Sequence, residues 1–162
     1  MKGLVRSLYH LVRRFFGFLW ARPLSPREQS EISALLADSE SSLFWHQAMQ
    51  DQRHGLDVAR RVLIARPGDR LAARAALLHD VGKVGIGLGA IQRSLATALD
   101  AFGVPLRGAY ETYRRHGIVG AEQLQTIGAD DLVVAFARHH PGAPPNGADS
   151  QQWQVLLDAD HA

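Results

Sequence analysis

Apolar residues recur three and four positions apart along nearly the whole chain, interrupted only by short proline and glycine clusters. That period belongs to helices burying one face, and the strict alternation of a half-buried strand is nowhere convincing. The spacing predicts helices over about 25–38, 43–65, 69–80, 90–102, 107–127, 129–140 and 150–161. Connections fall at Pro67-Gly68-Asp69, Gly103-Val104-Pro105, Gly128 and the loop HPGAPPNGADS from 140 to 150. Ser25-Pro26-Arg27-Glu28 is a start signal, with serine as N-cap, proline in the first turn and glutamate three residues on. A chain of 162 residues with 46% apolar content can bury one core and is too short for two ordinary domains. The expected fold class is all-α, a compact multi-helix bundle.

The first 22 residues differ from the rest. Lys2, Arg6, Arg13, Arg14 and Arg22 occur there without an acid, while Leu4, Leu8, Leu11, Val12, Phe15 and Leu19 recur at helical spacing. This predicts an extra amphipathic helix, cut by arginines too often to span a membrane. Docking on its own domain is the expectation, since a free helix this rich in aromatics would leave a large apolar patch; an anionic membrane surface is the alternative. Residues 1–45 are taken as this helix plus a connecting helix, and 46–162 as the main unit. The apolar run ends at Arg22-Pro23 without a small-residue cleavage site, so the expected location is cytoplasmic. The formal charge is only +2, and no basic stripe carries interleaved aromatics, so nucleic acid is not the expected partner. Gly85-Ile86-Gly87-Leu88-Gly89-Ala90 matches a dinucleotide fingerprint, but a predicted helix precedes it where that site needs a strand.

The segment AALLHDVGKVG, 75–85, is the chemical anomaly. An apolar helix delivers an imidazole and a carboxylate together, His79 and Asp80. With Gly82 as the residue just past the helix, both belong to its last turn, where unpaired carbonyls favour a cation. Other histidines share faces with apolar residues: His54 with Val58 and Val62, His116 with Gly120 and Leu124, and His139 and His140 with Leu132, Val133 and Phe136. One such histidine is usually a hydrogen-bonded core residue. Four such faces around His79-Asp80 are better satisfied by a divalent cation, which absorbs several lone pairs at once. Cysteine is absent, so any metal must be held by histidine and carboxylate. In the terminal WQVLLDADHA, Asp160 shares the face of Trp153, Leu156 and Leu157, whereas Asp158 falls off it.

The order His54, His79-Asp80, Asp160 resembles the H…HD…D pattern of the HD-domain metal-dependent phosphohydrolases. RHGIVGAEQL at 115–124 and ARHHPG at 137–142 resemble the additional histidines of the two-metal branch, which includes HD-GYP phosphodiesterases, although the Gly-Tyr-Pro motif itself is missing. The resemblance implies an all-helical bundle and one or two divalent transition-metal ions, Mn, Fe, Co, Ni or Zn. It implies a first ion on His54, His79, Asp80 and Asp160, and a second on Asp80, His116 and one or both of His139 and His140. Lys83 then faces the phosphate as a fixed positive charge. Apart from the resemblance, Arg114 and Arg115 beside His116 are candidates to contact substrate anions, with solvated surface arginines the more usual reading. The implied activity is hydrolysis of a nucleotide or other small phosphate ester. The competing reading is a noncatalytic helical regulatory or partner-binding module with a structural metal.

Overall fold

The computed structural model describes residues 22–84, 108 and 115–162. Among them are seven α-helices, one 3-10 turn and no strand, which agrees with the all-α expectation. The helices are α1 (Pro26–Leu35), α2 (Asp38–Trp45), α3 (Met49–Ala65), α4 (Arg70–Leu78), α5 (His116–Thr126), α6 (Asp131–His139) and α7 (Ser150–His161), with the 3-10 turn at Val81–Lys83 between α4 and α5. Residues 1–21 of the amphipathic helix predicted over 1–22, the helix predicted over 90–102, the part of the 107–127 helix at 107 and 109–114 with Arg114, and the 85–90 glycine run lie outside the described residues. No helix among the described residues is long and apolar enough to cross a membrane.

Local chemistry sets the helix ends. Glu28 accepts from the Ser25 amide at 2.9 Å while Ser25 Oγ accepts from the Glu28 amide at 3.4 Å, so the predicted capping box opens α1. The expected single helix to residue 38 stops at Leu35, because Leu36 turns extended to enter the core and Glu40 takes the Ala37 amide at 2.9 Å, starting α2. The expected continuous helix over 43–65 is likewise split. The Gln52 side-chain amide donates to the Trp45 and Gln47 carbonyls at 3.1 and 2.9 Å, satisfying groups that a continuing helix would have used.

Helix α4 lies at the centre of the bundle. Ala72, Ala73, Ala75, Ala76, Leu77 and Leu78 are all fully buried, and α1, α2, α3, α6 and α7 pack around them. Alanine makes this enclosure feasible, because small side chains let several helices approach one axis closely. At its start, Asp69 accepts from the Ala72 amide at 3.0 Å and from Gln152 Nε2 of α7 at 2.9 Å, and it pairs with Arg66 at 2.9 Å. The amino-terminal end of α7 is thereby fixed to the α3–α4 turn. On the outer side, Arg53 and Arg60 of α3 grip Glu28 and Glu31 of α1 at 2.6–3.2 Å. These are partly exposed pairs that orient the helices more than they stabilise them.

Gly82 has a different role from the one its position suggested. Its φ is not positive, so it is no left-handed cap. A Cβ there would lie 1.9 Å from the His116 carbonyl and 2.5 Å from the Gly120 amide, and one on Gly120 would lie 2.9 Å from the Gly82 amide. The two glycines let α5 lie directly on the 3-10 turn, and His116, the first residue of α5, arrives beside Asp80 for that reason. Gly82→Ala should force backbone apart and lower the melting temperature by roughly 5–10 °C, from about 2–3 kcal/mol of overpacking. Thermal denaturation unchanged within about 1 °C would show that α5 does not sit on this turn.

Candidate metal centre

Five helices, α4 and the pairs α3–α7 and α5–α6, bring the site together. The buried α4 ends at Leu78 with His79 as its closing residue, and Asp80 follows in the bridge region at φ −105°, ψ 7°. Both side chains are almost wholly inaccessible. Helix α3 brings His54 and α7 brings Asp160, whose carboxylate Oδ1 lies 2.9 Å from His54 Nε2 and 3.6 Å from His79 Nε2. Helices α5 and α6 bring His116 and His140, whose Nε2 atoms lie 3.4 and 3.6 Å from Asp80 Oδ1. The other Asp80 oxygen, Oδ2, faces His79 Nε2 at 3.4 Å and contacts the Lys83 ammonium.

The ring nitrogens are assigned by their backbone partners. A carbonyl only accepts, so His79 Nδ1 donates to the Ala76 carbonyl at 2.7 Å and His140 Nδ1 to the Phe136 carbonyl at 3.0 Å. In the neutral rings that leaves the lone pair on Nε2, the atom turned toward the carboxylates. The same backbone bond occurs at the exposed His46 and His161. The bond alone is therefore not diagnostic; the convergence of Nε2 atoms on Asp80 and Asp160 is.

Electrostatics points the same way. Burial pushes the His79 imidazole down to about 4, against the pull of Asp80 and Asp160, so at neutral pH it presents a lone pair. Burial works against the Asp80 charge, but His79, Lys83, His116 and His140 outweigh it and hold the carboxyl well below its ordinary range. Asp160 follows the same pattern, with burial opposed above all by His54, and is also held low. For His140, burial is outweighed by the Asp80 carboxylate and the imidazole is raised. A proton shared with Asp80 is one way to relieve that contact, yet at 3.6 Å it makes no proper hydrogen bond.

Asp80 Oδ1 is a buried carboxylate oxygen with no hydrogen-bond partner. Such an oxygen carries a desolvation penalty that nitrogens at 3.4 and 3.6 Å do not offset. A cation between them would. Two groupings have donor atoms all within 4.8 Å of one another, His54–His79–Asp160 and His79–Asp80–His140. Nitrogen and oxygen ligands about 2.0–2.2 Å from an ion stand at such separations. The residues present therefore fit a divalent ion.

A family model for the HD domain matches residues 53–161. The chain belongs to the HD-domain family. Searches of curated proteins and of solved structures returned no significant match. The HD match spans every cluster residue named above, from His54 to Asp160.

Not every residue expected in the site is drawn in. His139 is exposed and belongs to neither grouping, whereas His140 is turned inward. Helical period explains the choice, because 133, 136, 137 and 140 form one stripe and Val133, Phe136 and Ala137 are buried. Arg115 is exposed at the start of α5. Lys83 is buried with its ammonium against Asp80 Oδ2, an ion pair its position in the sequence did not announce. Asp158 is exposed and accepts from Gln154 at 2.8 Å. Asp160→Ala should accordingly lower metal affinity by at least tenfold, whereas Asp158→Ala should leave affinity unchanged and stability within about 0.5 kcal/mol. Equal effects of the two substitutions on Mn²⁺ titrations would contradict this geometry.

Proposed function

We propose that this HD-domain protein is a metal-dependent phosphohydrolase acting on a nucleotide or other small phosphate ester, with one or two divalent transition-metal ions. The observation that carries the reading is the division of Asp80: Oδ2 faces His79, and Oδ1, without a hydrogen bond of its own, faces His116 and His140. A carboxylate split in this way suits two neighbouring ions. His79 has one free nitrogen and can serve only one of them. The sets that follow are His54, His79, Asp80 and Asp160 on one side, and Asp80, His116 and His140 on the other.

When bound, such ions supply positive charge against phosphoryl oxygens and acidify water at neutral pH. The chain does the rest. His79 and His140 are held in one tautomer by the Ala76 and Phe136 carbonyls, so their Nε2 atoms need no reorientation to act as ligands. Asp80 and Asp160 stay ionised, for the reasons given above. Lys83 adds a fixed positive charge at the Asp80 carboxylate and so contributes to the field that an anionic substrate meets. Arg115, exposed beside His116, is suited to meet substrate anions arriving from solvent. A purely structural ion needs neither a divided carboxylate nor so many imidazoles.

Purified full-length protein should contain about one to two transition-metal ions per chain. It should hydrolyse at least one member of a panel of phosphomonoesters, nucleotides and cyclic nucleotides, and Asp80→Ala should abolish both properties. Ions that bind only the folded chain at about 100 times Kd add about 2.7 kcal/mol, so chelation should lower the melting temperature by roughly 5–10 °C. Metal present with no hydrolysis across the panel would favour the structural-metal module, and no metal by elemental analysis or titration would refute the reading altogether.

A further inference from the structure

We infer that Arg61 is a positioning residue for Asp160. Its role is to hold the last turn of α7 so that the carboxylate stays turned toward His54 and His79; this rests on the reading of Asp160 as a metal ligand.

Asp160 stands one residue from the end of α7, Ser150–His161. Final helical turns are the least secure places for a ligand, because their carbonyls have no partner further along the helix and the turn frays. Arg61 supplies the missing partner. Its Nη1 donates to the Ala159 carbonyl at 3.0 Å, across 98 residues of sequence. That carbonyl belongs to the peptide group leading directly into Asp160. The guanidinium is also a permanent cation placed at the negative end of a helix dipole, where it is favoured.

Position on α3 makes the contact specific. Arg61 follows His54 by seven residues, nearly two full turns, so both project from the same face with an offset of about 20°. His54 takes the Asp160 carboxylate at 2.9 Å and Arg61 takes the Ala159 carbonyl, so one helix holds the ligand by side chain and by backbone together. The neighbouring arginines are used differently. Arg53 and Arg60 pair with Glu28 and Glu31 of α1, whereas among the described residues no carboxylate lies within ion-pair distance of Arg61. Its charge is spent on one backbone oxygen beside a ligand, in a partly buried setting where a hydrogen bond to a charged group counts for more than at the surface.

The test is a double-mutant cycle on full-length protein, read by Mn²⁺ titration calorimetry and by melting of the metal-free form. Arg61→Met keeps the apolar stem and removes the donor. It should weaken Mn²⁺ binding by roughly 10- to 100-fold, with a much smaller effect on metal-free melting, and Arg61→Lys, which keeps a cationic donor, should recover most of the loss. In an Asp160→Ala background Arg61→Met should cost nothing further, because its effect passes through Asp160. Unchanged Mn²⁺ affinity in Arg61→Met, no recovery in Arg61→Lys, or a loss that adds fully to that of Asp160→Ala would overturn the proposal. If Asp160→Ala itself leaves Mn²⁺ affinity at the wild-type value, the ligand reading fails, and that result stands apart from any outcome at Arg61.

Discussion

The rest of the structure depends on the burial of one carboxylate. Asp80 is brought out of water at the end of a largely buried helix, and isolated charge in such a place is strongly disfavoured. The chain answers with four positive or polarisable groups from three segments: His79 and Lys83 from the same segment, His116 from α5 and His140 from α6. Lys83 neutralises one oxygen. The other is left among imidazole nitrogens that stand too far away to hydrogen-bond well, and that imbalance suits the cluster to a cation.

Much of the fold exists to make this convergence possible. The alanines of α4 allow it to run through the middle of the bundle, and Gly82 and Gly120 bring α5 down onto the turn that follows it. At the end of α4 the packed pair α3 and α7 carries His54 and Asp160, and the packed pair α5 and α6 carries His116 and His140. No two of these helices form the site alone. Side chains gathered from across the sequence exist as a set only in the folded chain, so a cation bound by them would couple to folding stability by mass action.

How far this was legible in the sequence depends on what kind of contact decided each point. Periodicity identified the helices and placed Asp160 inward and Asp158 outward, because the face carrying Trp153 and Leu156 continues to residue 160. The same stripe argument, carried through Val133, Phe136 and Ala137, separates His140 from His139, so that distinction was present in the sequence although the pair was left open. The interruptions at Leu36-Ala37 and at 46–48 were not legible, because side chains of Glu40 and Gln52 satisfy the backbone there and no proline or glycine marks the place. Gly82 was read as a cap when its real constraint is the backbone of a helix more than thirty residues away. Arg61 carries no local signal at all; in the run from Arg53 to Arg61 it resembles the arginines beside it until the partner on α7 is seen.

The central claim, that Nε2 atoms from four helices converge on a common cation centre, is tested most directly by nitrogen NMR of full-length protein labelled in its histidine rings and titrated with Zn²⁺. His54, His79, His116 and His140 should each show a large Zn²⁺-dependent shift at Nε2, with His79 and His140 keeping the Nδ1 proton that is bonded to backbone, while His46, His139 and His161 stay where they were. Shifts confined to the exposed histidines, or a response at His139 in place of His140, would contradict the account.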